Sequence, residues 1–419
     1  MKNNTTTPGS LIYQSKKTAK SDTPRIRESF DFNWKFFKRD AVGADKPDFN
    51  DTDWRNLDLP HDWSIEGPFR EEPDSMTFAH LPTGTGWYRK HFNIPAAYRS
   101  KKVTIEFDGI YQNSEVWING QYQGKRPYGY IGFYYDITPH LNFGRENVMA
   151  VRVDNSHQPN CRWYSGSGIY RHTWLRVTDK LHVGHWGTFV TTPRVDKKSA
   201  AVQIKTAVQN EGKNDIMCTL TTSVLECDGK AVKTTETSRN IAAGEEYEFI
   251  QKVKITNPSL WSPENPYLYT VRSMVKKQDK AVDNYDTVLG IREIEFDADK
   301  GFLLNGRQVK LHGVCLHHEA GAVGAAVPER VWERRLEKLK AMGCNAIRTS
   351  HNPYSPEFMD LCDKMGFLVM NEMYDEWKEP KPQTPDYGYR IYFDEWAEHD
   401  VTDFVHRDRN HPGVVIWSA

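Results

Sequence analysis

The strongest constraint on the fold of this chain is a change of hydrophobic period at about Asp297. Upstream, short alternations of apolar and polar residues recur between Gly, Asn and Pro turns, as in Val103-Ile105-Phe107, Val116-Trp117-Ile118 and Met149-Val151-Val153. Period two marks half-buried strands. Asn119-Gly120 follows one of these runs directly, and both residue types tolerate positive φ, so a tight hairpin turn is expected there. Antiparallel strands with one apolar face must bury it against a second sheet, which makes residues 29–180 a β-sandwich. Val202-Ile204-Thr206-Val208 and Cys218-Leu220-Thr222-Val224 continue the alternation through residues 181–292. That span, roughly 100 residues, suits an immunoglobulin-like sandwich. Pro258, Pro263 and Pro266 punctuate a Trp/Tyr-rich stretch within it, read as a rigid loop.

Downstream the pattern is different. Val309 to Val314 reads as a strand, Pro328 to Met342 as a helix with Trp332, Leu336 and Leu339 on one face, and Asn345 to Thr349 as a buried strand. Ser355-Pro356 supplies an N-cap and a first-turn proline for a helix ending at Met365-Gly366, and Phe367 to Asn371 is the third strand. A helix to about Arg409 and a strand from Val414 to Ser418 complete the series. Four strands alternating with three helices, each connection long enough for a crossover, predict a parallel sheet of βα units over residues 293–419. With the fourth strand running to the last residue, Ala419, the expectation is the first half of a (β/α)8 barrel, a truncated piece with a bare edge.

At 419 residues and 48.5 kDa the chain exceeds one ordinary core, in keeping with three domains. Residues 1–28 read as a disordered leader, Thr/Ser/Lys-rich and without apolar period. They contain no apolar h-region, so no secretory signal is visible and the compartment stays open, cytoplasmic or periplasmic. Fifty-five Lys and Arg against 56 Asp and Glu remove the electrostatic footprint of a nucleic-acid binder, and no long apolar run offers a membrane span. Six cysteines without a C-x-x-C pair read as buried thiols rather than a disulfide scaffold.

In a barrel of this kind the active site lies at the C-terminal strand ends. The first three strands end at Cys315-Leu316-His317-His318-Glu319, Arg348-Thr349-Ser350-His351-Asn352-Pro353 and Asn371-Glu372-Met373-Tyr374-Asp375-Glu376-Trp377. His317 and His318 do not form a zinc-protease motif, since Ala322 stands where H-E-x-x-H needs its second histidine. His317 and His351 are read as donors to substrate hydroxyls, against the alternative of structural histidines. Arg348 is expected to pair with a carboxylate below the site. Glu372, Asp375 and Glu376 are the available carboxylates, as acid/base groups or as helix caps. Trp377 either floors a sugar subsite or packs. Gly166-Ser167-Gly168-Ile169-Tyr170-Arg171 lacks the third glycine of a dinucleotide loop, and neither a G-x-S-x-G elbow nor a P-loop lysine occurs.

Leu59-Pro60-His61-Asp62-Trp63, the run Arg162 to Arg171, Gly313-Val314, Ser350-His351-Asn352-Pro353 and the run Asn410 to Ser418 together resemble motifs of glycoside hydrolase family 2, most closely its bacterial β-galactosidase branch. The resemblance implies a jelly-roll sugar-binding domain, an immunoglobulin-like domain and a (β/α)8 barrel. It implies retaining hydrolysis of terminal β-galactosides through two glutamates about 5–5.5 Å apart. By the same resemblance His317 and His351 bind substrate, Arg162 reaches toward the sugar from the first domain, and Asp375 and Trp377 line the glycone pocket. The acid/base glutamate of the family follows the Trp-Ser pair that here is Trp417-Ser418, and the nucleophile lies later still. Both catalytic glutamates are therefore expected beyond Ala419, with no catalytic residue among these 419, and the isolated chain is expected to be inactive. Some relatives carry a magnesium site, but Lys378 stands here where they have a histidine ligand, so no metal or other cofactor is expected. A carbohydrate is the expected partner, and a homo-oligomer of the full-length form stays open. β-Glucuronidase and β-mannosidase share the architecture, and a non-catalytic carbohydrate-binding module is the alternative outside enzymes.

Overall fold

A computed structural model describes residues 24–71, 78–384 and 386–419. The first domain packs a four-stranded antiparallel sheet (Ile26–Ser29, Thr173–Thr178, Lys102–Phe107, Phe133–Asp136) on a six-stranded one built around Gly84–Asn93 and Glu146–Asn155. The inward residues of the alternating runs, among them Val103, Ile105, Phe107, Val116, Ile118, Met149, Val151 and Val153, form one buried core with Trp34 and Trp63. Asn119 and Gly120 take φ values of 50° and 78° and close the hairpin from Ser114–Ile118 to Gln121–Arg126, as their residue types require.

The expected leader ends too late at Glu28. Ile26–Ser29 pair antiparallel with Trp174–Val177, and Arg25 forms an ion pair with the buried Asp283 at 2.7 Å. Short-range periodicity does not reveal an edge strand whose partner lies at the far end of the domain. Residues 1–23 lie outside the described residues.

The second domain pairs a three-stranded sheet (Leu181–Val195, Ser199–Asn210, Glu246–Thr256) with a four-stranded one (Ala231–Ile241, Ile216–Leu225, Tyr269–Lys277, Lys280–Leu289). Val202, Ile204 and Val224 pack with Val253, Tyr269 and Val271 between the sheets. A small antiparallel sheet, Ile294–Asp297 with Gly301–Leu304 and Arg307–Gln308, leads into the third domain.

That domain runs β1 (Gly313–Leu316), α1 (Glu329–Ala341), β2 (Ala346–Thr349), α2 (Pro356–Met365), β3 (Leu368–Glu372), α3 (Arg390–Asp408) and β4 (Val414–Ser418). The four strands are parallel and in sequence order. The strand expected from Val309 to Val314 is displaced toward the C-terminus. The Val309 amide bonds Phe302 O, the Asn345 side chain holds the Lys310 carbonyl and the His312 amide, and parallel pairing begins only at Gly313 opposite Ala346. Ser355 precedes α2 as expected, but its hydroxyl makes no cap hydrogen bond. Among the described residues, no helix is long and apolar enough to cross a membrane.

The domains are tied by buried polar bonds. Arg292, at the end of the second sandwich, donates to Pro412 O and Val414 O at the start of β4. Within the third domain, Asp363 on α2 accepts from the Gly413 amide at 2.8 Å and from His411 Nδ1 at 2.5 Å, fixing the same segment. Burial alone would lower the His411 pKa, but the Asp363 carboxylate outweighs it and holds the imidazolium up to about 9. In the first domain Asp31 likewise raises His172 to about 9 against its burial. A histidine raised on folding contributes stability that is complete below its unfolded pKa, about 6.5, and is lost as pH rises through the folded value. Thermal melts should therefore show stability falling between about pH 6.5 and 9.5. His411→Gln should remove its share of that slope, on the order of 3 kcal/mol, leaving the share of His172.

Candidate functional site

The ends of β1, β2 and β3 converge as parallel pairing requires, and the first sandwich reaches over them. His317 follows β1, and its ring centroid lies 5.6 Å from that of His351, two residues past the end of β2. Trp163, from the loop joining Glu146–Asn155 to Thr173–Thr178, packs against both, with its indole centroid 5.2 Å from His317 and 5.4 Å from His351. An aromatic face bordered by two imidazoles suits a sugar ring, whose C–H faces stack and whose hydroxyls need donors and acceptors. Burial, with help from His351, lowers the His317 pKa. Its Nδ1 has no hydrogen-bond partner among the described residues. His318 turns away: it is buried against Tyr130 and Tyr170, donates from Nε2 to Ser165 O at 3.2 Å, and burial drives its pKa down to about 3.

The second imidazole is fixed from below. His351 Nδ1 donates to Glu372 Oε1 at 2.8 Å, and Arg348 clasps the same carboxylate through Nε at 2.5 Å and Nη2 at 3.0 Å. This is the carboxylate partner expected for Arg348. Burial would raise the Glu372 pKa, but the bonds from His351 and Arg348 override it and hold it below the usual carboxylate range. Glu372 therefore stays ionised and orients His351, leaving the His351 Nε2 for the cleft.

The other two carboxylates are also engaged. Asp375 makes a two-point ion pair with Arg162 of the first domain, Nε to Oδ2 at 2.8 Å and Nη2 to Oδ1. Glu376 is buried and accepts from Thr384 Oγ1 at 2.9 Å and from the amides of Lys381 and Arg390, the last at the first residue of α3. Its role is the capping one. Asp375, His351 and Trp163 line one cleft with Tyr111, Tyr128 and Tyr130. Trp377 does not join them: it is 54% exposed and stacks on Phe393 of α3. Lys378 pairs with Asp394 at 2.5 Å. Ala419 follows β4 directly and is exposed, outside the cleft lining. The two glutamates expected beyond Ala419 lie outside the described residues.

The sequence reading missed two residues that shape this site. Trp163 was visible only as part of a motif, although an aromatic beside an arginine expected to reach the sugar was a usable signal. Asp62 gave none beyond its motif. It is 3% exposed, and its Oδ1 accepts from the Ser64 and Ser167 amides at 3.0 and 2.9 Å. Oδ2 accepts from Tyr164 OH at 2.5 Å and from the Ala325 amide at 2.9 Å. Burial pushes its pKa up against these four donors. A Cβ on Gly166 or Gly324 would come within 2.7 or 2.5 Å of Oδ2, so only glycine lets both loops close on the carboxylate.

Two sandwiches set against a parallel βα sheet, the first overhanging its strand ends, define a modular protein whose site is shared between domains. Comparison with known proteins agrees. Three family models match in succession: "Glycosyl hydrolases family 2, sugar binding domain" over residues 44–178, "Glycosyl hydrolases family 2" over 182–292, and "Glycosyl hydrolases family 2, TIM barrel domain" over 296–419. The chain belongs to glycoside hydrolase family 2. β-Galactosidase BoGH2A of Bacteroides ovatus is 50% identical over 397 residues, covering 94% of this chain and 46% of its own length. A putative β-glucuronidase of Formosa agariphila is 40% identical over 410 residues, 98% of this chain and 38% of its own length. A solved family 2 member from Bacteroides cellulosilyticus has a TM-score of 0.90 at 41% identity, covering 93% of this chain and 51% of that one. The chain thus spans about half the length of the relatives it matches.

Asp62→Ala would leave three backbone amides and the Tyr164 hydroxyl without their acceptor in a buried site. Each such group costs about 1–3 kcal/mol, so a loss above about 3 kcal/mol is expected in urea unfolding. Glu372→Gln should raise the mobility of the His351 ring, read as broadening of its imidazole proton resonances, with a smaller stability change than Asp62→Ala.

Proposed function

We propose that this protein is a retaining β-glycosidase acting on terminal β-galactosides, with these 419 residues supplying the sugar-holding side of its site. The observation that carries the reading is the indole of Trp163 lying across His317 and His351 at the ends of adjacent parallel strands. Its place at the C-terminal mouth of a barrel-type sheet is where such sheets hold their active sites. Family membership supports hydrolysis with retention, which uses one carboxylic acid as proton donor and one carboxylate as nucleophile. The 50% identity to a protein named a β-galactosidase supports galactose over glucuronate, the sugar in the name of the 40% relative.

In this reading His351, with Nδ1 committed to Glu372, presents Nε2 to a sugar hydroxyl, His317 borders the same ring, and Trp163 stacks on its apolar face. In this reading none of the three rim carboxylates serves as the proton donor. Glu372 is held ionised by Arg348 and His351, Asp375 is paired with Arg162, and Glu376 is buried as a helix cap. The chain by itself is therefore expected to bind the glycone without cleaving it.

Saturation-transfer NMR on the purified chain should show contact with methyl β-galactoside at millimolar concentration. Trp163→Ala should weaken it about tenfold, since the apolar contact an indole makes with one face of a ring is worth on the order of 1.4 kcal/mol. Release of nitrophenol from a nitrophenyl β-galactoside by this chain would overturn the assignment of the rim carboxylates. Absence of any sugar contact would overturn the binding reading.

A further inference from the structure

The cations at the rim already hold their anions. Arg348 is occupied by Glu372 beneath His351, and Arg162, carried over the mouth by the first sandwich, is occupied by Asp375. The two pairs differ in their carboxylates: Asp375 is 14% exposed and Glu372 5%, while both arginines reach solvent. Asp375 lines the cleft with Trp163 and His351, and it holds Arg162, the residue before Trp163, at the edge of that lining. The charges of Arg162 and Asp375 are both felt at His317.

A guanidinium fork matches a planar carboxylate through two parallel N–H bonds, which makes a free arginine beside a sugar pocket a receptor for uronates. Arg162 gives its Nε–Nη2 edge to Asp375, so its charge is already balanced by a carboxylate. A uronate reaching Arg162 would either displace Asp375 from that edge or take the Nη1 side of a guanidinium already balanced by it, and in both cases two carboxylates compete for one cation. That arrangement is disfavoured because like charges at close range cannot share one counter-ion at full strength. A neutral glycone meets no such penalty.

We propose that Asp375 is a specificity-determining residue: by occupying the guanidinium of Arg162 across the domain boundary, it denies that cation to acidic sugars and keeps the rim selective for neutral ones. The proposal rests on the reading of this rim as a sugar site and deepens it. Asp375→Asn keeps the side-chain shape and removes the competing charge, so Arg162 becomes available to a sugar carboxylate.

The test is titration of the 419-residue chain with methyl β-glucuronide and methyl β-galactoside, followed by NMR at low and high salt. For Asp375→Asn the ratio of glucuronide to galactoside affinity should rise about tenfold over the parent chain, and the rise should shrink with added salt as a charge interaction does. The double variant D375N/R162Q should lose the rise, and Asp375→Glu, which keeps the charge, should retain the parent ratio. Circular dichroism and melting of each variant check that it is folded; a destabilised but folded Asp375→Asn with an unchanged ratio would make the pair merely structural and overturn the proposal. Galactoside binding without a gain for the glucuronide overturns this proposal alone. Binding of neither glycoside to any of the chains overturns the sugar-site reading and the proposal with it.

Discussion

One buried carboxylate holds the site's two halves together. Asp62 sits where the first sandwich meets the loop after β1, and its four acceptor positions are filled by three chain segments: residues 62–64, the loop of Tyr164 and Ser167, and Ala325. The Asp62 charge is tolerable in a dry setting only because every lone pair meets a donor. The consequence reaches beyond local stability, since Tyr164 follows Trp163 and Arg162 directly. The bonds that neutralise the buried charge also place an indole against two imidazoles and a guanidinium against Asp375.

Around that junction the same physical rule repeats. Tyr128 OH donates to Met373 O, Arg171 donates to Pro353 O, and Arg126 pairs with Asp400 and Asp403 of α3, each crossing from the first sandwich to the βα domain. Tyrosine hydroxyls in the cleft wall are used up in this way, Tyr111 on Asn160 and Tyr130 on Ser165 among them, so the wall turns aromatic faces inward. Of the two imidazoles, His351 lines that cleft, together with Asp375. On the proposed reading, such a surface would favour a ring with alternating C–H faces and hydroxyl edges over a charged or extended ligand.

The local pattern carried much of the fold. The runs at Val103, Val116, Met149, Val202 and Cys218 are strands, α2 ends at Gly366, and β4 runs from Val414 to Ser418, because each rests on short-range periodicity or turn chemistry. The misplacements came where distant partners decide. Ile26–Ser29 become a strand through Thr173–Thr178, and β1 begins at Gly313 because Asn345 holds the preceding residues out of the ladder. At the site, strand-end position brought out His317, His351 and the Arg348–carboxylate pair. It could not separate Glu372, Asp375 and Glu376, which share one short stretch and have three different roles.

What the sequence by itself determined is the order of architectures, two period-two sandwiches and then alternating βα units, with ionisable groups at the parallel strand ends. That much follows from covalent spacing, since residues two or four apart have fixed relative directions on a strand or helix. Tertiary structure alone decided which groups meet across domains: Trp163 over the imidazoles, Arg162 on Asp375, Asp62 under both loops, and Trp377 outside the cleft against Phe393. These pairings join residues far apart along the chain, or neighbours that leave one loop in different directions. Their free energy depends on desolvation and geometry that exist only once the domains have closed on one another.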